Sequence, residues 1–156
     1  MSLKSELETK VPPPLLGAAT ALFMWLLAQV LPTLTMPSTK INTVGLVIMG
    51  IGFCIDLLAL TQFLKLKTSF DPTKPHKAST VVTHGLYKYS RNPMYLGLLI
   101  VLLGWGLFLG NLASLACLFI FVPLITHLQV LPEERILKEK FGDDYERYKS
   151  NVRRWI

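Results

Sequence analysis

The sequence predicts an all-α, polytopic membrane protein with about four transmembrane helices, the last two a hairpin, followed by short cytoplasmic helices at the C-terminus. Three observations carry that expectation. Of the 156 residues 51% are hydrophobic and only 17% charged, with a mean hydropathy of +0.44, which is oilier than an ordinary soluble domain of this size. The apolar residues gather into four blocks near the roughly 20 residues that a helix needs to cross a hydrocarbon core about 30 Å thick. The basic residues fall almost entirely in alternate gaps between those blocks.

The first block runs from about Leu15 to Leu31, between Pro12-Pro13-Pro14 and Pro32, and the second from about Val44 to Leu64. The third extends from about Met94 to Leu109 and the fourth from about Leu112 to Leu131. Gly110-Asn111 supplies a tight turn between the last two, so they should form a helical hairpin. Of the sixteen Lys and Arg, two precede the first block, Lys40 alone stands in the first gap, six lie from Lys65 to Arg91, and seven follow Leu131. Cytoplasmic loops collect basic residues, so this asymmetry predicts a multi-pass protein with both termini in the cytoplasm. The same charges, facing anionic lipid, account for the net +6 without a nucleic-acid partner.

The N-terminal segment carries Glu6, Glu8 and a proline run rather than a basic region and cleavage site, so no removable signal peptide is expected. Cys54 and Cys117 fall inside apolar blocks with no His or Cys at ligand spacing, and read as lipid-facing or packed small residues, not as metal ligands or a disulfide. No internal repeat interrupts the chain, and residues 1–156 read as one membrane domain.

Two polar segments share the predicted cytoplasmic face. The loop from Lys65 to Asn92 is too long for a simple connection and is therefore a candidate for function. Its end mixes β-branched residues, a turn at Gly85, and Tyr87, Arg91, Asn92 and Tyr95. Pro93 suits the first turn of the third helix and makes Asn92 its expected N-cap, with free N–H groups available to an anion. A plainer account, a capped helix with a snorkelling Arg and interfacial Tyr, uses the same residues. The second segment, Leu131 to Ile156, reads as a helix starting at Pro132, Glu133 and Glu134, a break at Gly142, and a second helix whose Asp143 and Glu146 have the spacing of a capping box. By themselves, glutamates facing Arg91 suggest no more than an ion pair.

Taken together, the two segments carry a resemblance. T-x-G-x-Y-x-x-x-R-N-P-x-Y-x-G, from Thr83 to Gly97, is followed by E-E-x-x-L-x-x-x-F-G-x-x-Y-x-x-Y, from Glu133 to Tyr148. This pair resembles the isoprenylcysteine carboxyl methyltransferase and phospholipid methyltransferase family of integral membrane enzymes, over about the last ninety residues. The resemblance implies methyl transfer from S-adenosylmethionine to a lipophilic or small acceptor at the bilayer: an isoprenylcysteine-like carboxylate, a thiol or a lipid amine. Carried over by position, it implies cofactor binding by Ser79, Thr80, Val81, Val82, Tyr87, Asn92, Pro93, Met94, Tyr95 and Glu133, within segments 79–95 and 129–154. Extended Ser79 to Val82 suits an adenine slot. The Tyr87 and Tyr95 rings suit adenine or the sulfonium, a cation–π contact worth about 0.5–2 kcal/mol. Glu133 suits ribose hydroxyls or an ammonium.

Two departures narrow this. Asn92 stands where many members have His, so this position offers hydrogen bonds but no titration near neutral pH. Gln129 replaces the arginine that members acting on a prenylcysteine carboxylate carry four residues before the glutamate, which puts an acidic acceptor in doubt. His127, with Gln129, is a candidate lining of an acceptor tunnel; a plain interhelical hydrogen bond is its alternative. Asp56 lies inside the second block, where an acid is costly and a bundle-facing role is the default. Pro123 should bend the fourth span. Two other classes remain open on sequence alone: a non-enzymatic membrane sensor or assembly protein, and a membrane lipid or sterol reductase.

Overall fold

A computed structural model describes residues 11–35, 38–65 and 79–156. Its elements are α1 (Pro13–Val30), α2 (Thr39–Lys65), α3 (Pro93–Leu109), α4 (Leu112–Ile125), α5 (Leu131–Phe141) and α6 (Asp143–Asn151). Single 3₁₀ turns lie at Pro32–Leu34 and Gly85–Lys88, and a π-helical turn at Thr126–Val130 joins α4 to α5. Among the described residues there is no β-sheet, only an isolated bridge between Thr35 and Asn111. The chain is an all-α integral membrane protein. Three helices, Pro13–Val30, Thr39–Lys65 and Leu112–Phe141, are long and apolar enough to cross a membrane, and α3 is a shorter apolar helix.

α3 is the axis of the bundle. On one side it packs along α2, and on the other it meets α1 and α4, which also pack against each other. The α2–α3 contact is made by glycines at two levels. A Cβ on Gly52 would lie 2.7 Å from the Gly97 carbonyl, and one on Gly45 would lie 2.6 Å from that of Gly104. The pairs are seven residues apart on both helices, so one face of each meets its partner twice with backbone against backbone. In lipid, where apolar side chains gain little by leaving the solvent, such close approach is a main source of helix association.

Two apolar clusters flank α3. Met24, Tyr95, Leu102, Cys117, Phe121, Ile125 and Val130 form the larger, with Trp155 of the C-terminal tail packed on it. Ala59, Val82 and Tyr87 form the smaller, with Phe63, Met94 and Tyr148 against it. The outward faces of α1, α2 and α4 are apolar and exposed; Phe119 reaches 85%. Cys54 shares the exposed side and Cys117 is buried.

The hairpin turn forms as its residues require. Gly110 takes φ 62°, the left-handed region that glycine enters without penalty. Asn111 then caps α4, its side chain accepting a hydrogen bond from the Ser114 amide at 3.0 Å.

Three sequence expectations are corrected. The segment starting at Pro132 does not begin a separate helix: α4 runs through the π turn into α5 without a break. Pro123 and Pro132 each lack an N–H, and the wider register between them absorbs the mismatch that would otherwise end the helix. Asn92 occupies the N-cap position of α3, but its side chain makes no cap. The box of Asp143 and Glu146 does not close either; α6 follows directly on Gly142, at φ 51°, and Glu146 turns to Lys138 at 2.9 Å.

Candidate functional site

The residues singled out by sequence lie where the N-terminal end of α3, the loop before it and the C-terminal segment meet. Ser79 to Thr83 has no regular structure: Ser79 and Thr80 are exposed, Val81 is half-buried and Val82 is buried against Ala59 of α2. Gly85, at φ 59°, reverses the chain into the 3₁₀ turn, and a Cβ there would also strike Gln62. That turn drives Tyr87 inward, edge-on to Phe63 at 5.4 Å. The Tyr148 hydroxyl donates to the Tyr87 carbonyl at 2.8 Å and ties α6 to the same spot.

Ser90, Arg91 and Asn92 are clasped by the C-terminal tail. The Arg91 amide donates to the Arg153 carbonyl at 3.0 Å, while the Ser90 hydroxyl (3.3 Å) and the Asn92 side-chain amide (3.0 Å) both donate to the Arg154 carbonyl. The Asn92 side-chain N–H is turned to the tail, and its oxygen makes no capping bond to α3.

The neighbouring glutamates take different partners because successive residues on a helix point about 100° apart. Glu134 is buried and receives the Arg154 guanidinium through two 2.9 Å hydrogen bonds, with Arg91 at 3.2 Å on the same carboxylate. Glu133 instead accepts a hydrogen bond from the Tyr95 hydroxyl. The two motifs, 38 residues apart between Tyr95 and Glu133, are thus joined by a side-chain contact. Pro93 is fully buried and Met94 half-buried beside the Tyr87 cluster.

Burial, followed by the charge of Glu134, pushes the Tyr145 phenol well above its ordinary value despite Arg91. Tyr87 is raised further by burial and then by Tyr148, Glu133 and Asp56, so it keeps its proton across the physiological range. Neither phenol is a base. Among the described residues no cluster of His, Cys, Asp and Glu could hold a metal.

The remaining candidates do not all converge. Gln129 is fully buried, and its side-chain N–H donates to the Val11 carbonyl at the foot of α1. His127 is exposed. The two therefore do not line one tunnel, because positions two apart on a helix face opposite ways. Four buried side-chain atoms near these elements have no hydrogen-bond partner: Asp56 Oδ1, Arg91 Nε and Nη1, and Gln129 Oε1. They do not form one cluster: Arg91 faces Glu134, Asp56 lies at the α2–α3 seam and Gln129 at the foot of α1. The ion pair of Arg91 with a glutamate was anticipated by the sequence; the second arginine on Glu134, Arg154, and the contacts of Ser90 and Asn92 with its carbonyl were not, because they come from the tail about 60 residues on.

A helical membrane bundle, with a polar site built at one end from a Tyr–Glu contact and an Arg–Glu–Arg cluster, is the class that fold and site define. Residues 41–144 match the model of the family described as phospholipid methyltransferase, and the chain belongs to that family. It is similar to a protein-S-isoprenylcysteine O-methyltransferase of Schizosaccharomyces pombe, at 32% identity over 80% of this chain and 56% of that one. An uncharacterised Haemophilus influenzae protein is 49% identical over 40% of this chain and its own full length. A steroid 5-alpha-reductase of Solanum lycopersicum is 29% identical over 70% of this chain and 40% of its own. The chain thus spans little more than half of the yeast relative and less of the reductase. No solved structure matches it.

Proposed function

We propose that this protein is an S-adenosylmethionine-dependent membrane methyltransferase acting on a lipophilic or small acceptor, with its cofactor held between segments 79–95 and 129–154. The observation that carries this reading is the Tyr95–Glu133 contact, which unites the two family motifs on one site. When bound, the cofactor supplies a methyl group already activated on a sulfonium, so the chain's work is binding and alignment. Ser79 to Val82, Tyr87, Asn92, Pro93 and Met94 would form its slot. Glu133 would take a ribose hydroxyl or the ammonium, and the spare donors of Arg91 suit the carboxylate of the same ligand. Arg154 and Glu134 are positioning groups that hold Arg91 and the tail in place.

The acceptor side is read from Gln129. An amide in place of an arginine leaves no charge there for an acid. Arg153 is exposed, and Arg154 is committed to Glu134. The reading therefore favours an acceptor that is not anionic.

Calorimetric titration of the detergent-solubilised protein with S-adenosylhomocysteine tests the cofactor assignment. Saturable binding is expected, and Tyr95→Ala and Glu133→Ala should each weaken it about tenfold or more, equal to about 1.4 kcal/mol. Unchanged affinity in both folded variants would sink the assignment. Binding of a nicotinamide cofactor instead would favour a reductase, and binding of neither a sensor or assembly role.

A further inference from the structure

Asp56 is the one acid of α2, and none of the described residues offers it a hydrogen bond or an ion pair. It sits against the backbone of α3, where a Cβ on Gly97 would collide with its carboxylate, and its Oδ1 is buried without a partner. The glycine therefore makes room for the acid. On α2, Asp56 shares a stripe with Gly52, Ala59 and Phe63, at intervals of four, three and seven residues, and the latter two pack on Val82 and Tyr87. Asp56 consequently lies one helical turn beneath the proposed cofactor slot, toward the membrane interior, and its charge is felt at the Tyr87 phenol together with that of Glu133. An unpaired acid in an apolar span is costly to insert and is not expected where it only packs.

We propose that Asp56 is the acceptor-side residue of this site, taking the hydrogen of a nucleophile that still carries one, an amine or a thiol, and disfavouring a carboxylate. The inference rests on the methyltransferase reading and adds the group that reading lacks, a destination for the proton. In the step, the S–H bond of a thiol or an N–H bond of an alkylammonium breaks and the proton passes to the Asp56 carboxylate. The freed electron pair forms the bond to the methyl carbon, while the carbon–sulfur bond breaks and leaves its pair on sulfur. A carboxylate acceptor has no proton to lose and would be repelled by the same oxygens.

Matched twelve-carbon ligands test this in nanodiscs: dodecanethiol, dodecylamine and dodecanoate, titrated with and without S-adenosylhomocysteine. The wild-type protein should bind the thiol and the amine about tenfold or more tightly than the acid, as a hydrogen bond to a charged partner requires. Asp56→Asn should erase that preference and slow methylation of the thiol by a similar factor, leaving S-adenosylhomocysteine affinity unchanged. Equal or tighter binding of dodecanoate by the wild type overturns the proposal, and that comparison needs no variant to fold. A preference kept in Asp56→Asn overturns it as well. So does a preference confined to the amine, which charge attraction alone would produce. Failure of the wild type to bind S-adenosylhomocysteine would defeat the methyltransferase reading, while the ligand series without it still judges Asp56.

Discussion

Gln129 shows how much a single side chain constrains. Its amide is fully buried and has one hydrogen bond, to the Val11 carbonyl, while its oxygen has none. Substituting Arg would place a fixed cation one turn below Glu133, since residues four apart share a helix face. Gln129→Arg should therefore shift preference toward an acid such as N-acetyl-S-farnesylcysteine and away from a simple alkyl thiol. A hydrogen bond to a charged group contributes about 1.5–3 kcal/mol, so the ratio of kcat/KM values should move roughly tenfold to a hundredfold. Methylation rates for both acceptors, in wild type and Gln129→Arg, measure it; an unmoved ratio would remove position 129 from the acceptor side. The resemblance of the two motifs named Tyr95 and Glu133 as residues of one site, without implying a contact between them. Which of two adjacent glutamates meets Tyr95 was not legible, because that depends on the helix phase imposed by the π turn at Thr126–Val130.

At the level of elements, the end of the bundle opposite the site is held by one polar knot. The Asn111 side chain donates to the Leu31 carbonyl at 3.0 Å and to the Thr35 hydroxyl at 2.9 Å, and accepts from the Ser114 amide at 3.0 Å. Ser114 in turn donates to the Met24 carbonyl at 2.6 Å. The hairpin turn is thereby fastened to the end of α1. Asn111→Ala removes an N-cap and the hydrogen bonds to Leu31 and Thr35 from a fully buried position, which should cost about 2 kcal/mol. Asn111→Asp retains the acceptor for Ser114 but has no hydrogen for Leu31, so its loss should persist. Denaturation in mild detergent measures both; an Asp variant as stable as wild type would show that the cap alone matters. Helices and the Gly-Asn turn were legible because apolar blocks and turn residues are local signals. The knot was not, since Leu31 and Thr35 lie about 80 residues from Asn111 in the chain.

For the whole molecule, the issue is how many times it crosses the bilayer. α3 has 17 residues, about 25 Å at 1.5 Å per residue, which is less than a hydrocarbon core of about 30 Å. α2, with 27 residues, is about 40 Å and overshoots it. Length alone thus leaves α3 short, and the expectation that it crosses rests on the charge pattern: basic residues stand before α1, between α2 and α3, and after α4, with only Lys40 in the gap between α1 and α2. The packing agrees with that grouping, because the C-terminal segment clasps the loop before α3 through Arg153, Arg154 and Tyr148, and chain segments in direct contact share a face. Lys74, in the same loop, lies outside the described residues; exposed Lys88 and Lys149 stand in for this face. In a protein freed of Cys54 and Cys117, Lys88→Cys and Lys149→Cys should react with an impermeant thiol reagent only from the cytoplasmic side, and Lys40→Cys only from the other. If Lys149 reacted from the side opposite Lys88, α3 and α4 could not both cross, and the site would lose the tail that closes it.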